Sequence, residues 1–287
     1  WCSEPLRSVT AVRLSDLFSG APGQVDVTAL AFDNREVVPG TVFFCVPGHT
    51  RDGHDFAAEA VAAGAVALVV ERPLGLGVPE VLVEDVRAAM APAAARFAGD
   101  PTSGLKMAGI TGTAGKTSTS YLAASLLAPD SSSPGCGLVG TVATRIAGTE
   151  RPAVRTTPEA IELQQNFKAM ADGGDEACVM EVSSHALVLH RADAIHWDVA
   201  AFTNLGRDHL DFHTDMEDYF EAKKRLFTAA AEEGATLMAG GDGVWGRRLA
   251  SEFPGTITTG LGEGNDLRAT GLRADLTRTH FSIDGAE

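Results

Sequence analysis

Positive charge is scarce in this sequence: 23 lysines and arginines face 38 aspartates and glutamates over 287 residues, a formal charge of -15. A nucleic-acid polymer would meet net repulsion over most of such a surface, so nucleic acid is excluded as a partner and any anionic ligand needs local donors. Cysteine is sparse too. Cys2, Cys45, Cys136 and Cys178 show no paired spacing, and two of them sit in apolar runs that read as strands, which fits a reducing cytoplasm. Long hydrophobic runs are missing: the longest, 61–70, includes Gly64 and is about half of what a membrane-spanning helix needs. No secretory signal is read at the start, and the sequence opens at Trp1 without an initiator methionine. What is present is 45% hydrophobic and 21% charged, enough for two ordinary globular domains.

Short β-rich runs alternate with alanine-rich stretches from 41 to 97: strands at 42–46, 66–70 and 81–83, a helix at 56–63 closed by Gly64, and a helix at 86–97 with Pro92 as a kink. Residues 98–104, Ala-Gly-Asp-Pro-Thr-Ser-Gly, concentrate turn formers and read as a linker. The boundary is placed there, giving domains 1–103 and 104–287. Beyond it, 105–110 reads as a buried strand, 117–127 as a helix and 129–137 as a Ser, Pro and Gly loop. Two further apolar runs, 177–180 and 199–202, end abruptly in Glu181-Val182-Ser183-Ser184-His185 and Thr203-Asn204. In parallel α/β sheets ligands collect at the carboxyl ends of strands, so three strand ends point at one site.

The strand at 105–110 runs into Gly112-Thr113-Ala114-Gly115-Lys116-Thr117 and then a helix. Backbone N–H groups, the helix dipole, Lys116 and the Thr117 hydroxyl supply what nucleotide phosphates and their magnesium require. The strict eight-residue pattern wants glycine where Ile110 stands, so this is the shorter form. A purely structural glycine turn is the alternative, and a GTPase lacks its base-recognition element, since Asn204-Leu205-Gly206-Arg207-Asp208 is no match.

The spacing predicts a helix opening with Thr214 as N-cap and Glu217 closing a capping box, running to about Ala230. Its apolar stripe of Met216, Tyr219, Phe220, Leu226, Phe227 and Ala230 includes Lys223. Two readings stand: the lysine snorkels to water, or burial leaves a neutral amine that carbon dioxide can modify into a carboxylate-like metal ligand. Asp208, His209, Asp211 and His213 crowd after one strand and Glu181 ends another. Oxygen-rich ligation suits magnesium and the mixed set also manganese, while zinc lacks its usual motif; singly, each residue also reads as a polar loop residue.

The ordered set Gly109-Ile110-Thr111-Gly112-Thr113-Ala114-Gly115-Lys116-Thr117, Thr156-Thr157-Pro158, Glu181-Val182-Ser183-Ser184-His185-Ala186-Leu187, Phe202-Thr203-Asn204-Leu205, Arg207-Asp208-His209-Leu210-Asp211-Phe212-His213 and Tyr219-Phe220-Glu221-Ala222-Lys223 resembles the Mur ligases. Within them it is similar to the branch that adds a diamino acid to UDP-N-acetylmuramoyl-L-alanyl-D-glutamate, in an actinobacterial-like form. The match runs from about residue 33 to the end.

The resemblance implies an α/β fold in which a small N-terminal UDP-binding domain precedes a P-loop ATPase domain with a mainly parallel central sheet. The family's C-terminal Rossmann-like domain, with its Asp-Asn-Pro-Arg element, is absent from these residues. It implies ATP on Gly112, Thr113, Ala114, Gly115, Lys116, Thr117 and Ser118, and Mg2+ on Thr117 and Glu181. A second Mg2+ would use Glu181, His209 and a carbamylated Lys223, and Lys116, Glu181, His209 and Lys223 carry catalysis. The UDP-muramoyl dipeptide is expected on Thr156, Thr157, Ser183 and Arg191, with Asp33-Asn34-Arg35 and His49-Thr50-Arg51 as looser uridine contacts. Ala114, Asn34, Arg155 and Leu189 depart from the usual Asn or Ser, Ser, Asn and Gln, and residues 238–243 from an Asn-Ala-Asp-Asp. The expected reaction is amide ligation through an acyl phosphate in peptidoglycan precursor synthesis, with meso-diaminopimelate favoured over L-lysine, by a cytoplasmic monomer. An inactive binding module and a related ligase with another substrate, such as folate, are the competing readings.

Overall fold

In the computed structural model, residues 11–48, 51–128 and 135–284 are described. They form two units, one from the described part of Trp1–Asp100 with Ala160–Gln165, the other from Pro101–Glu159 with Asn166–Glu287.

In the first unit β1 (Val12–Arg13) pairs antiparallel with β2 (Asp26–Val27) on either side of α1 (Leu14–Leu17). A parallel sheet follows, ordered β3 (Ala29–Ala31), β4 (Thr41–Phe44), β5 (Ala65–Val70) and β6 (Glu80–Leu82), with α2 (Ala57–Ala62) and α3 (Val86–Ala98) on the chain between and after its strands. Alternation along a strand sends successive side chains to opposite faces. Val42 and Phe44 join Val69, Leu14 and Met90 in one core, whereas Phe43 and Leu68 join Ala57 and Ala60 in another. The sheet is therefore covered on both faces, which is why its strands read as continuous apolar runs. Asp85 caps α3 through Ala88 N, and the helix runs through Pro92 to a left-handed Gly99.

The second unit is built on β7 (Lys106–Thr111), α4 (Lys116–Leu127), β8 (Gly135–Val139), β9 (Ala143–Ile146), β10 (Thr149–Pro152), the part of α5 (Ala160–Asp172) from Asn166 on, β11 (Asp175–Glu181), α6 (Ser184–Val188), β12 (Val199–Phe202), α7 (Met216–Glu232), β13 (Thr236–Gly240), α8 (Val244–Glu252), β14 (Ile257–Gly260), β15 (Leu267–Ala274) and β16 (Thr279–Asp284). Its ten-stranded sheet runs β10-β9-β8-β11-β7-β12-β13-β14-β15-β16. Pairing is parallel from β8 to β15 and antiparallel at both ends. Glu181 stands level with Ile110, and Phe202 with Thr111, so β11, β7 and β12 release their chains at one edge.

Residues 98–104, within which the two units divide, are a helix end and a packed turn: Pro101 and Thr102 are buried, and Thr102 Oγ1 accepts from His196 N at 3.2 Å. Two local expectations change. Of the loop expected at 129–137, residues 129–134 lie outside the described set, but Gly135–Val139 is a strand against β11. Its glycines admit close neighbours, since a Cβ on Gly137 would collide with the Met170 side chain. Finally, α7 is capped by Asp215, not Thr214: Asp215 Oδ1 accepts from Glu217 N and Asp218 N, both at 2.9 Å, and Asp218 returns to Thr214 N at 3.0 Å. A carboxylate serving two donors outcompetes a hydroxyl serving one.

Candidate active site at the ends of three strands

The loop between β7 and α4 needs its glycines. Gly112 has φ 143°, a conformation side chains rarely adopt, and a Cβ there would overlap Thr203 Oγ1; Gly115 opens α4 at φ 86°. The loop is strapped to the end of β12. Thr113 N donates to Asn204 O at 2.9 Å, Ala114 N to Asn204 Oδ1 at 3.0 Å, and Ala114 O accepts from Asn204 Nδ2 at 3.0 Å and Thr203 Oγ1 at 2.7 Å. The amides of Thr113 and Ala114 are thereby committed to Asn204. Lys116 folds over the loop, donating to Gly112 O at 2.9 Å and Thr113 O at 3.0 Å. Burial lowers its pKa, against the pull of Glu181 and Asp208.

Glu181 is fully buried and accepts three hydrogen bonds. Oε2 accepts from Thr117 Oγ1 at 2.9 Å and Thr141 Oγ1 at 3.1 Å, and Oε1 from Thr141 N at 2.8 Å. Thr141 also meets Thr156 Oγ1 at 3.1 Å, while Thr157 Oγ1 donates to Glu181 O at 2.9 Å and accepts from Ser183 N at 3.1 Å. Ser183 in turn caps α6 through Ala186 N. Glu159, buried, draws in Arg191 at 2.8 Å and Arg155 at 3.7 Å. Lys116, Thr141, Thr156, Ser183, Arg191 and His209 share the walls of a cavity of about 290 Å³.

Lys223 does not snorkel. It is 1% exposed, and its Nζ donates to Gly112 O at 2.8 Å and lies 4.6 Å from the Tyr219 ring centroid. Burial, reinforced by the Lys116 charge, lowers its pKa to about 7. Tyr219 also touches His209, at 6.0 Å between rings, and His213, at 4.8 Å. His213 is buried between Ser184 Oγ, 2.9 Å from Nε2, and Asp218 Oδ2, 3.3 Å from Nδ1. A carboxylate on one ring nitrogen and a hydroxyl on the other suit a neutral imidazole. His185 stacks on Phe212 at 4.0 Å, and burial, with His209 and His213 nearby, lowers its pKa.

The other expected residues belong to the first unit or to residues 238–243 of the second. Asn34 Nδ2 donates to Glu59 at 2.8 Å, Arg35 is ion-paired with Asp33, and Arg51 lies over the Phe56 ring, all within the first unit. His49 and Thr50 lie outside the described residues. Residues 238–243 contribute Met238, Gly240 and Asp242 to a cavity of about 650 Å³ that Thr203, Asn204 and Trp245 also line. Thr141, Asn204, Glu159 and Tyr219 are not among the site residues read from the sequence; Asn204, a polar residue closing a strand, and Tyr219, in the stripe around Lys223, both carry a signal there, and Thr141 and Glu159 carry none.

Among the described residues no group of three or more His, Cys, Asp or Glu could hold a metal alone. The Thr117–Glu181 pair nevertheless fits magnesium, which takes one or two carboxylate ligands and completes its shell from phosphates and water.

Residues 110–287 match the family model for the Mur ligase middle domain, and residues 26–98 that for the Mur ligase family catalytic domain. The chain is 50% identical over 215 residues to the UDP-N-acetylmuramoyl-L-alanyl-D-glutamate–2,6-diaminopimelate ligase of Geobacillus thermodenitrificans, covering 75% of this chain and 44% of that protein. It is 41% identical over 271 residues to the enzyme of that name from Streptomyces coelicolor, covering 92% of this chain and 53% of the relative. A solved structure of a ligase of that name superimposes with a TM-score of 0.79 at 25% identity, covering 95% of this chain and 57% of that one. The chain thus spans about half the length of the relatives it matches.

Proposed function

The chain belongs to the Mur ligase family, and from that premise we propose that it forms the ATP- and nucleotide-substrate-binding part of a ligase joining meso-diaminopimelate to UDP-N-acetylmuramoyl-L-alanyl-D-glutamate. The observation that carries this reading is the meeting of the phosphate loop, the Thr117–Glu181 pair and the buried Lys223 at one sheet edge. Relatives at 41–50% identity bear the name of that activity. The proposal includes a monomer acting in the cytoplasm, with domains divided at 103/104.

The substrate's γ-carboxylate oxygen attacks the terminal phosphorus of ATP, the bond to ADP breaks, and an acyl phosphate forms. The amine then attacks the acyl carbon, loses a proton, and expels phosphate carrying the carboxylate oxygen. Two anions must first approach each other, so the site needs cations. Lys116 supplies one, reaching from Gly112 O and Thr113 O to the outer phosphates. Magnesium, held by Thr117 and Glu181 and by a second set of Glu181, His209 and carbamylated Lys223, would neutralise and align the phosphates. Lys223 suits carbamylation because burial leaves much of its amine neutral near pH 7: the Nζ lone pair bonds to the carbon of carbon dioxide and one proton leaves. The carbamate nitrogen keeps one N–H for Gly112 O. Thr156, Thr157, Ser183 and Arg191 hold the muramoyl dipeptide in the 290 Å³ cavity. The ATP base takes the 650 Å³ cavity, because Asn204, which grips the phosphate loop, also lines it.

The test is ADP release by the protein carrying this chain, with the muramoyl dipeptide nucleotide and a panel of diamino acids. ADP formed only when both the nucleotide and meso-diaminopimelate are present is the expected result; ADP formed without the muramoyl nucleotide overturns the reading.

A further inference from the structure

We propose that Asn204 is a positioning residue for the phosphate loop, clamping the Ala114 peptides so that the amides from Gly115 onward are the ones left to meet phosphate. The inference rests on the nucleotide-binding reading above. Its basis is that one carboxamide closes on both sides of one residue: Oδ1 accepts from Ala114 N and Nδ2 donates to Ala114 O, each at 3.0 Å. The backbone of Asn204 adds a third bond, accepting from Thr113 N at 2.9 Å, and Thr203 Oγ1 a fourth, to Ala114 O at 2.7 Å.

The loop's own Lys116 holds Gly112 O and Thr113 O but not the Ala114 peptides. Ala114 brings no polar side chain, and Gly112 and Gly115 take backbone angles with little intrinsic stiffness. The restraint therefore comes from across the sheet, 90 residues along the chain. Gly206 N donates to Thr113 Oγ1 at 3.0 Å, so the segment that follows Asn204 grips the loop as well. A loop preorganised like this spends less of its binding energy on ordering itself around phosphates. Asn204 touches the loop, not the reacting atoms.

Calorimetric titration of the protein carrying this chain with MgADP tests this, comparing wild type with Asn204→Ala and Asn204→Asp and recording thermal unfolding of each. Asn204→Ala loses both side-chain bonds and is expected to bind roughly tenfold more weakly at every pH, the equivalent of one or two ordinary hydrogen bonds, while still unfolding cooperatively well above the titration temperature. Asn204→Asp keeps the acceptor for Ala114 N but sets a carboxylate against Ala114 O. Relative to wild type in parallel, which corrects for Lys116, Lys223 and Asp208, its affinity is expected to recover as pH falls toward the carboxyl range near about 4, where the protonated acid regains a donor. Asn204→Ala binding like wild type overturns the proposal, as does a loss that vanishes at a lower temperature where the variant is fully folded. Failure of the wild-type protein carrying this chain to bind MgADP overturns the nucleotide reading itself.

Discussion

Lys223 Nζ donates to the carbonyl of Gly112 at 2.8 Å, which ties the middle of α7 to the phosphate loop through a contact spanning 111 residues of sequence. A lysine in an apolar stripe is thus neither misplaced nor snorkelling. Its only polar acceptor among the hydrogen bonds of the described residues is the loop carbonyl that Lys116 also uses.

Lys223→Ala is expected to abolish turnover, and added bicarbonate should not restore it, because the variant has no amine to modify. A structural role alone would leave most activity intact. Turnover measured with and without bicarbonate distinguishes the two. The same side chain costs stability. Its folded pKa is lowered from the usual 10.5 to about 7, so the unfolded chain binds the extra proton between those values and stability rises with pH across that window. Lys223→Met should accordingly gain stability over the unmodified wild type near neutrality, by up to a few kcal/mol, with the gain fading as pH rises from about 7 to 10.5; denaturant melts in carbon-dioxide-free buffer at several pH values check it.

Asp52 gives the acid limb. Burial pushes its pKa up, but the His54 backbone N–H, the His54 ring and Arg72 outweigh that and hold it at about 2, below the ordinary 3.8. A depressed carboxyl contributes stability that is present above 3.8 and lost as pH falls toward about 2. Asp52→Asn should therefore lower stability at neutral pH and flatten the acid limb across that window in pH-dependent unfolding.

His213→Leu removes the partner of Ser184 Oγ and Asp218 inside a buried cluster. An orphaned buried hydroxyl costs about 1–3 kcal/mol. Denaturant unfolding should show a loss of that size, larger than that of the double variant with Ser184→Ala measured against Ser184→Ala alone.

Gly140→Ala presses a methyl group onto the Glu181 carboxylate. Turnover should fall at least tenfold, about 1.4 kcal/mol in the barrier, with a raised magnesium requirement. Retained wild-type magnesium dependence would show that Glu181 does not serve the metal.

The phosphate loop was legible because its chemistry is written consecutively, from Gly112 to Thr117, between a strand and a helix. Lys223 was legible as a break in a periodic stripe. Thr141 was not: it reaches Glu181 from 40 residues away, and only the pairing of β8 beside β11 brings it there. Glu159 was hidden for a similar reason, since its burial beneath Arg155 and Arg191 depends on tertiary packing rather than spacing. The cap of α7 was displaced by one residue because adjacent Thr214 and Asp215 are both good caps, and their competition is decided by charge. The parallel sheet itself followed from alternating apolar runs and helices, while its strand order did not.

The central claim is that ATP at this strand edge activates a carboxylate as an acyl phosphate. Oxygen-18 in the γ-carboxylate of UDP-N-acetylmuramoyl-L-alanyl-D-glutamate follows that step directly, read by mass spectrometry of the phosphate released by the protein carrying this chain. One labelled oxygen transferred to each phosphate is the expected result, and phosphate free of label would contradict it.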